Sequence, residues 1–330
     1  MKPLCACLCL VLSTVAPSST AADDAENQEQ QTAARIVGPD TCAGCHVREA
    51  EKWKSTHHQS GFRTLNRSDR AAQILGNMDL KNMKKSVTCR QCHYTSIVAR
   101  GRIRPAWGVS CESCHMPATD WVNIHHKIGG RREGEMLTWG AGRNESASLR
   151  LRRLDAARDA GMTHSLMLYE MARRCYHCHA VPNEKLVNVG GHADGSRFNL
   201  VDAFERIRHD FASADHSDTT ATRPVDSDRR SPVDVVLALV DLELSMRKVA
   251  AAEQAGERYH QAAIHRARAA RDRLVRMLPH AEVPELATVL TRLPEDLDAD
   301  PTTTAEIAGK LRDLARRLVD QHRGLKMGRD

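Results

Sequence analysis

The sequence predicts a mainly α fold with much irregular structure in its first two thirds and an α-helical bundle or hairpin in its last third. Three observations predict it. Every cysteine outside the leader lies in a C-x-x-C pair within residues 36–212, where apolar periods are short. Aromatic residues make up 4% of the chain, too few to fill a core of this size, so another large apolar body has to fill it. From residue 232 onward cysteine disappears and apolar side chains recur at helical spacing.

Residues 1–21 read as a signal peptide. Lys2 supplies the charged start, Leu4–Val15 the short apolar stretch, and Ser19-Thr20-Ala21 the small-residue cleavage site. The apolar stretch is too short to span a bilayer, and no later segment is long and apolar enough to do so. A periplasmic or otherwise exported protein without a transmembrane segment follows. Of eleven cysteines, Cys5, Cys7 and Cys9 fall in this leader, which leaves eight. They fit a lipoprotein signal poorly. The polar, Gln- and Glu-containing stretch over 22–35 reads as a flexible tether.

Residues 36–212 form the cysteine- and histidine-rich domain, with helical pieces predicted over Val47–Thr56, Asp69–Ile74 and Leu166–Arg174. A polar linker without apolar period occupies 213–231. The C-terminal helical domain covers 232–323. Pro232–Ala255 and Glu257–Leu278 read as helices separated near Gly256, with a stop at Pro279. A shorter helix covers Pro284–Arg292. The last begins at Thr303 with Glu306 completing a capping box, and aligns Ile307, Leu311, Leu314 and Leu318 on one face. The scattered His260, His265, His280 and His322 read as surface residues. The net charge of +6, with both signs interspersed, points to no nucleic-acid partner and fits an acidic docking partner.

Four times the chain reads C-x-x-C-H: Cys42/Cys45/His46, Cys89/Cys92/His93, Cys111/Cys114/His115 and Cys175/Cys178/His179. Two thiols at this spacing add to the two vinyl groups of a haem, and the next residue supplies the proximal imidazole to the iron. A random chain of this composition would contain about 0.02 such matches. Cys89/Cys92 and Cys111/Cys114 also fit a four-cysteine zinc ribbon, and an exported chain with paired cysteines invites disulfides. Neither requires histidine after every second cysteine, so four covalent haem c groups with their iron are the expected cofactors. Distal ligands would come from His57, His58, His125, His126, His164, His177, His192, His209 and His216, among which spacing does not choose.

Trp53-Lys-Ser-Thr56-His57-His58 resembles the W-x-x-[ST]-x-H pattern of the tetrahaem cytochrome c-554 family, with His58 in the ligand place. Gly108-Val-Ser-Cys111-Glu-Ser-Cys114-His115, followed by Asp120-Trp121-Val-Asn-Ile-His125, resembles that family's third motif and the histidine beyond it. Residues 182–193 and Arg208-His209-Asp210-Phe211 look like segments of related bacterial cytochromes that supply His192 and His209. The resemblance covers roughly residues 36–212, and in some relatives C-terminal helices are an appended unit. One departure is Met116, where relatives usually carry glycine.

The resemblance implies a tetrahaem domain wrapped around bis-histidine haems, with His58, His125, His192 and His209 as distal ligands. It implies electron transfer between redox proteins, donor and acceptor unknown, with docking to a membrane-bound electron-transfer complex among the options. The competing expectation is a multihaem reductase or oxidase with one open iron, acting on a small nitrogen or sulfur compound. Four plausible distal histidines favour the carrier over a catalyst with its own substrate. A third reading gives the C-terminal helices a docking role.

Overall fold

The computed structural model describes residues 21–127, 146–207, 232–281, 283–294, 297 and 300–327. The leader up to residue 20, His209, His216 and the whole linker 213–231 lie outside the described residues. The described chain is mainly helical, with one two-stranded sheet and long irregular connections.

Helix α1 (Ala21–Ala33) occupies the stretch expected as a flexible tether, and that expectation is corrected. A polar helix of this length is marginal alone. It is held because Glu29 forks onto the buried guanidinium of Arg90, at 2.7 to 3.0 Å, and accepts from the Ser96 hydroxyl. Helices α2 (Pro39–Ala43), α3 (Val47–Lys54) and α4 (His57–Thr64) follow. Then come α5 (Asp69–Asn77), whose Ser68 cap accepts from the Ala71 N–H, and α6 (Val87–His93). Two of the three predicted helical pieces of this domain appear as α3 and α5.

The hairpin of β1 (Thr95–Ala99) and β2 (Arg102–Trp107) was not foreseen. Its signal is short but present: Ile97-Val98 precedes Arg100-Gly101, and both loop residues adopt positive φ, the geometry of a tight two-residue hairpin turn. Next come α7 (Cys111–His115), α8 (Ala147–Asp159), α9 (Leu168–His179), α10 (Glu184–Asn188) and α11 (Leu200–Ile207). The third predicted piece is the start of α9.

The last third is α12 (Pro232–Ala251), α13 (Arg258–Met277), α14 (Pro284–Leu290) and α15 (Pro301–Met327). Helix α12 stops before the predicted Ala255 because the Glu184 carboxylate accepts the N–H groups of Glu253 and Gln254, drawing the chain away. Helix α15 starts two residues before Thr303, since Asp300 accepts from the N–H groups of Thr302 and Thr303 and acts as the cap. Ile307, Leu311, Leu314 and Leu318 are buried on one face, as their spacing predicted. His260 is 5% exposed, contrary to the surface expectation, and its Nδ1 accepts the Gly256 N–H to close the turn between α12 and α13. His265 and His280 are exposed.

Helix α12 is buried on all sides from Val235 to Val240, because α13, α15 and α9 pack around it. One apolar core therefore runs from Leu168, Tyr169, Ala172 and Tyr176 of α9 into the C-terminal helices. The helix carries Asp241, Glu243 and Lys248 inside that core. No helix among the described residues is long and apolar enough to cross a membrane.

Candidate cofactor-binding site

Helical spacing explains how each C-x-x-C-H segment works as a unit. Cysteines three residues apart share a helix face, and the adjoining histidine projects beside them. The second motif ends α6, the third forms α7, and the fourth ends α9. The first follows from α2 through Gly44 to His46, just before α3. All eight cysteines and all four motif histidines line one cavity of about 2580 Å³. A single small-molecule site is typically about 300–1,000 Å³, so this space suits several large groups.

Motifs from distant parts of the chain meet there. The Cys42 and Cys111 thiols lie side by side, as do those of Cys92 and Cys178. Glu112, inside the third motif, is 3% exposed and its carboxylate accepts three backbone N–H groups: Val37 at 3.0 Å, Gly38 at 2.8 Å and Ala118 at 2.8 Å. This fastens the approach to the first motif onto the third. Trp53 Nε1 donates to the Val109 carbonyl at 2.8 Å, tying α3 to the turn before α7.

Three motif histidines face a second histidine across the cavity. His46 and His125 have ring centroids 6.1 Å apart and lie nearly parallel, at 24°. His58 and His179 are 6.0 Å apart, and His93 and His192 are 6.1 Å apart, both pairs tilted by 52°. Two metal–nitrogen bonds of about 2 Å, plus the half-width of each ring, give roughly 6 Å between centroids for imidazoles bonded to one ion. The rings are thus spaced as a shared metal requires. His58 rather than His57 faces His179, and His125 rather than His126 faces His46. His57, His126, His164 and His177 also line the cavity. His115 hydrogen-bonds through Nδ1 to the Thr163 carbonyl at 2.8 Å; the fourth distal candidate, His209, lies outside the described residues.

A carbonyl only accepts, so each ring nitrogen bonded to one carries the proton. That holds for Nδ1 of His115, of His125 towards Val122 at 2.9 Å, and of His192 towards Ala193 at 2.7 Å. Each bond leaves Nε2 with a lone pair for iron and fixes the ring's rotation. Burial pushes the pKa of His93, His125 and His179 down to about 4, and that of His58 down as well. Neutral rings are the ligating form. The cavity, the thiols and the paired rings fit haem c.

Sequence reasoning missed the residues that hold these rings in place. Gly108 lies so close to α4 that an added Cβ would sit 2.1 Å from the His58 carbonyl oxygen. Phe198 stacks on the His179 ring with centroids 3.9 Å apart and planes at 12°. Gly108 stands in the stretch that resembles the family's third motif, but its packing on α4 is a long-range contact that no local pattern shows, and the lone Phe198 carries no pattern at all.

Four C-x-x-C-H segments folded around one apolar cavity define a c-type cytochrome. Residues 41–116 match the protein-family model described as cytochrome c554 and c-prime. The chain is also 30% identical over 104 residues to cytochrome c-554 of Nitrosomonas europaea, a match covering 29% of this chain and 44% of that protein. It is therefore cytochrome c-554-like, and that family implies covalently bound haem c. No solved structure matches.

Proposed function

We propose that this is an exported tetrahaem cytochrome that transfers electrons between redox partners, with one haem c on each of the four motifs and histidine on both faces of each iron. The ligand pairs are His46 with His125, His93 with His192, His179 with His58, and His115 with His209. Haem c supplies one-electron chemistry between ferric and ferrous iron. The observation that carries the reading is the 6.0 to 6.1 Å spacing of three histidine pairs, each joining a motif histidine to one far away in sequence.

The chain's own residues supply attachment, orientation and a dry environment. Paired cysteines anchor, carbonyl-bound Nδ1 atoms fix ring direction, and apolar walls exclude water. Cys42 lies near Cys111 and Cys92 near Cys178, so attachment points of different motifs come together, as an electron relay needs. Residues 36–212 form the cofactor domain and 232–323 its helical support, in a periplasmic protein whose partners are redox proteins.

The test is optical and EPR spectroscopy of the purified protein, oxidised and reduced, with and without carbon monoxide or nitric oxide. Four low-spin haems per chain that ignore the gases are expected. A high-spin ferric haem that binds gas would overturn full bis-histidine ligation and turn attention to an enzyme.

A further inference from the structure

We propose that Arg266, on α13, positions the histidine of the fourth motif and biases the haem held by His179 and His58 toward its reduced form. The inference rests on the ligation proposed above and assigns the C-terminal helices a role in it.

The guanidinium of Arg266 is 3% exposed. Its Nε donates to Asp241 Oδ1 and its NH1 donates to the Gly195 carbonyl, both at 2.5 Å. Its Cζ lies 4.6 Å from the Tyr176 ring and 5.9 Å from the Phe198 ring, within reach of a cation–π attraction. Both targets support His179. Phe198 stacks on its imidazole, and the α-carbon of Gly195 packs on its carbonyl. One side chain of the C-terminal helices thus bonds Gly195 and lies near Phe198, two residues packed on His179.

The electrostatics follow from burial. Asp241 is shared between Arg266 and Arg273, the latter at 3.6 Å, so one carboxylate faces two guanidiniums. Lys248, Asp194 and Glu184 are further charged groups of this cluster, and Arg258 lies 3.5 Å from Asp194. Arg266, Arg273, Arg258 and Lys248 face the carboxylates of Asp241, Asp194 and Glu184, so the cluster is net positive by one charge. A positive cluster in a low-dielectric interior opposes the extra charge of ferric iron and favours ferrous. Removing Arg266 therefore shifts this haem toward ferric, and removing the Asp241 charge shifts it toward ferrous. A loosened structure would not produce shifts of opposite sign.

The experiment is a spectroelectrochemical titration of the full-length, haem-loaded protein, with dithionite as electron donor. The haem in question is first identified as the one whose low-spin EPR signal changes in His58→Met. Arg266→Met is expected to lower the ferrous-to-ferric ratio at that haem by up to tenfold, about 59 mV for a one-electron couple. Asp241→Asn is expected to raise the ratio, Arg266→Lys to restore most of the wild-type value, and the other haems to stay unchanged. Unchanged midpoints, shifts of all haems together, or shifts of both variants in one direction overturn the inference. If Arg266→Met does not load haem, the sign in Asp241→Asn decides: upward supports, unchanged or downward refutes. If no low-spin signal responds to His58→Met, the ligation proposal itself fails, and the inference falls with it.

Discussion

Gly195 packs directly on His179: a Cβ added to the glycine would lie 2.1 Å from the histidine's carbonyl oxygen. Gly195 also has φ of +77°, a backbone conformation that L side chains rarely adopt. Gly195→Ala therefore meets both a steric and a conformational penalty, together roughly 2–5 kcal/mol. It is expected to lower the urea midpoint and alter the EPR signal of the fourth-motif haem. Gly76→Ala is the control, because open space surrounds that exposed glycine near the end of α5. It should be neutral or stabilising by about 0.5–1 kcal/mol. Equal effects of the two substitutions would refute the close-packing account.

Met116 follows the third motif with φ of 75° and ψ of 159°, a region that glycine alone occupies freely. That geometry suits glycine better than methionine. Met116→Gly should stabilise the protein by roughly 1–3 kcal/mol, read from chemical denaturation. A loss of stability would mean that the methionine side chain contributes more packing than its backbone loses.

The cofactor motifs were legible because their chemistry is local: five consecutive residues carry both thiols and the imidazole. The C-terminal helices α13 and α15 were legible from their apolar period. The approach of His58 to His179, and of His192 to His93, arises through long-range folding that no local pattern encodes, and only the resemblance singled out His58 and His192. Helix α1 was hidden because its partner Arg90 sits at a variable position inside a motif. The burial of α12 on every side erases the period that would reveal its orientation. The C-terminal helices share an apolar core with α9, and single side chains that look like surface residues in the sequence, notably Arg266 and Lys248, add polar links to the fourth-motif region.

Arg90 and Glu29 form a pair that is 4% and 10% exposed, with Glu26 a further 3.7 Å partner. Removing one member leaves the other buried and unpaired, which typically costs about 3–5 kcal/mol. Glu29→Ala should release α1 from the second motif and expose it to proteolysis near residue 30. Replacing Arg90 as well, by methionine, should recover much of the loss, since an apolar pair carries no uncompensated charge. A double mutant cycle by urea denaturation measures this; additive losses would contradict the coupling.

Lys248 donates to the Ala180 carbonyl at 2.6 Å and lies 4.2 Å from the Tyr259 ring. Burial, with the nearby Arg266 charge, pushes its pKa down to about 8 from 10.5. Between those values the unfolded chain binds a proton that the folded chain has released, so stability rises with pH across that window. The gain at about 1.36 kcal/mol per unit amounts to roughly 2–3 kcal/mol between pH 8 and 10. Burial acts oppositely on Tyr259, whose pKa is raised to about 12. The folded phenol keeps its proton above pH 10 while the unfolded one loses it, so that contribution falls as pH rises further. Urea midpoints measured from pH 7 to 11 should therefore show a rise and then a decline in the wild type. Lys248→Met should remove the rise and keep the decline. A variant that retains the full rise between pH 8 and 10 would show that another group is responsible.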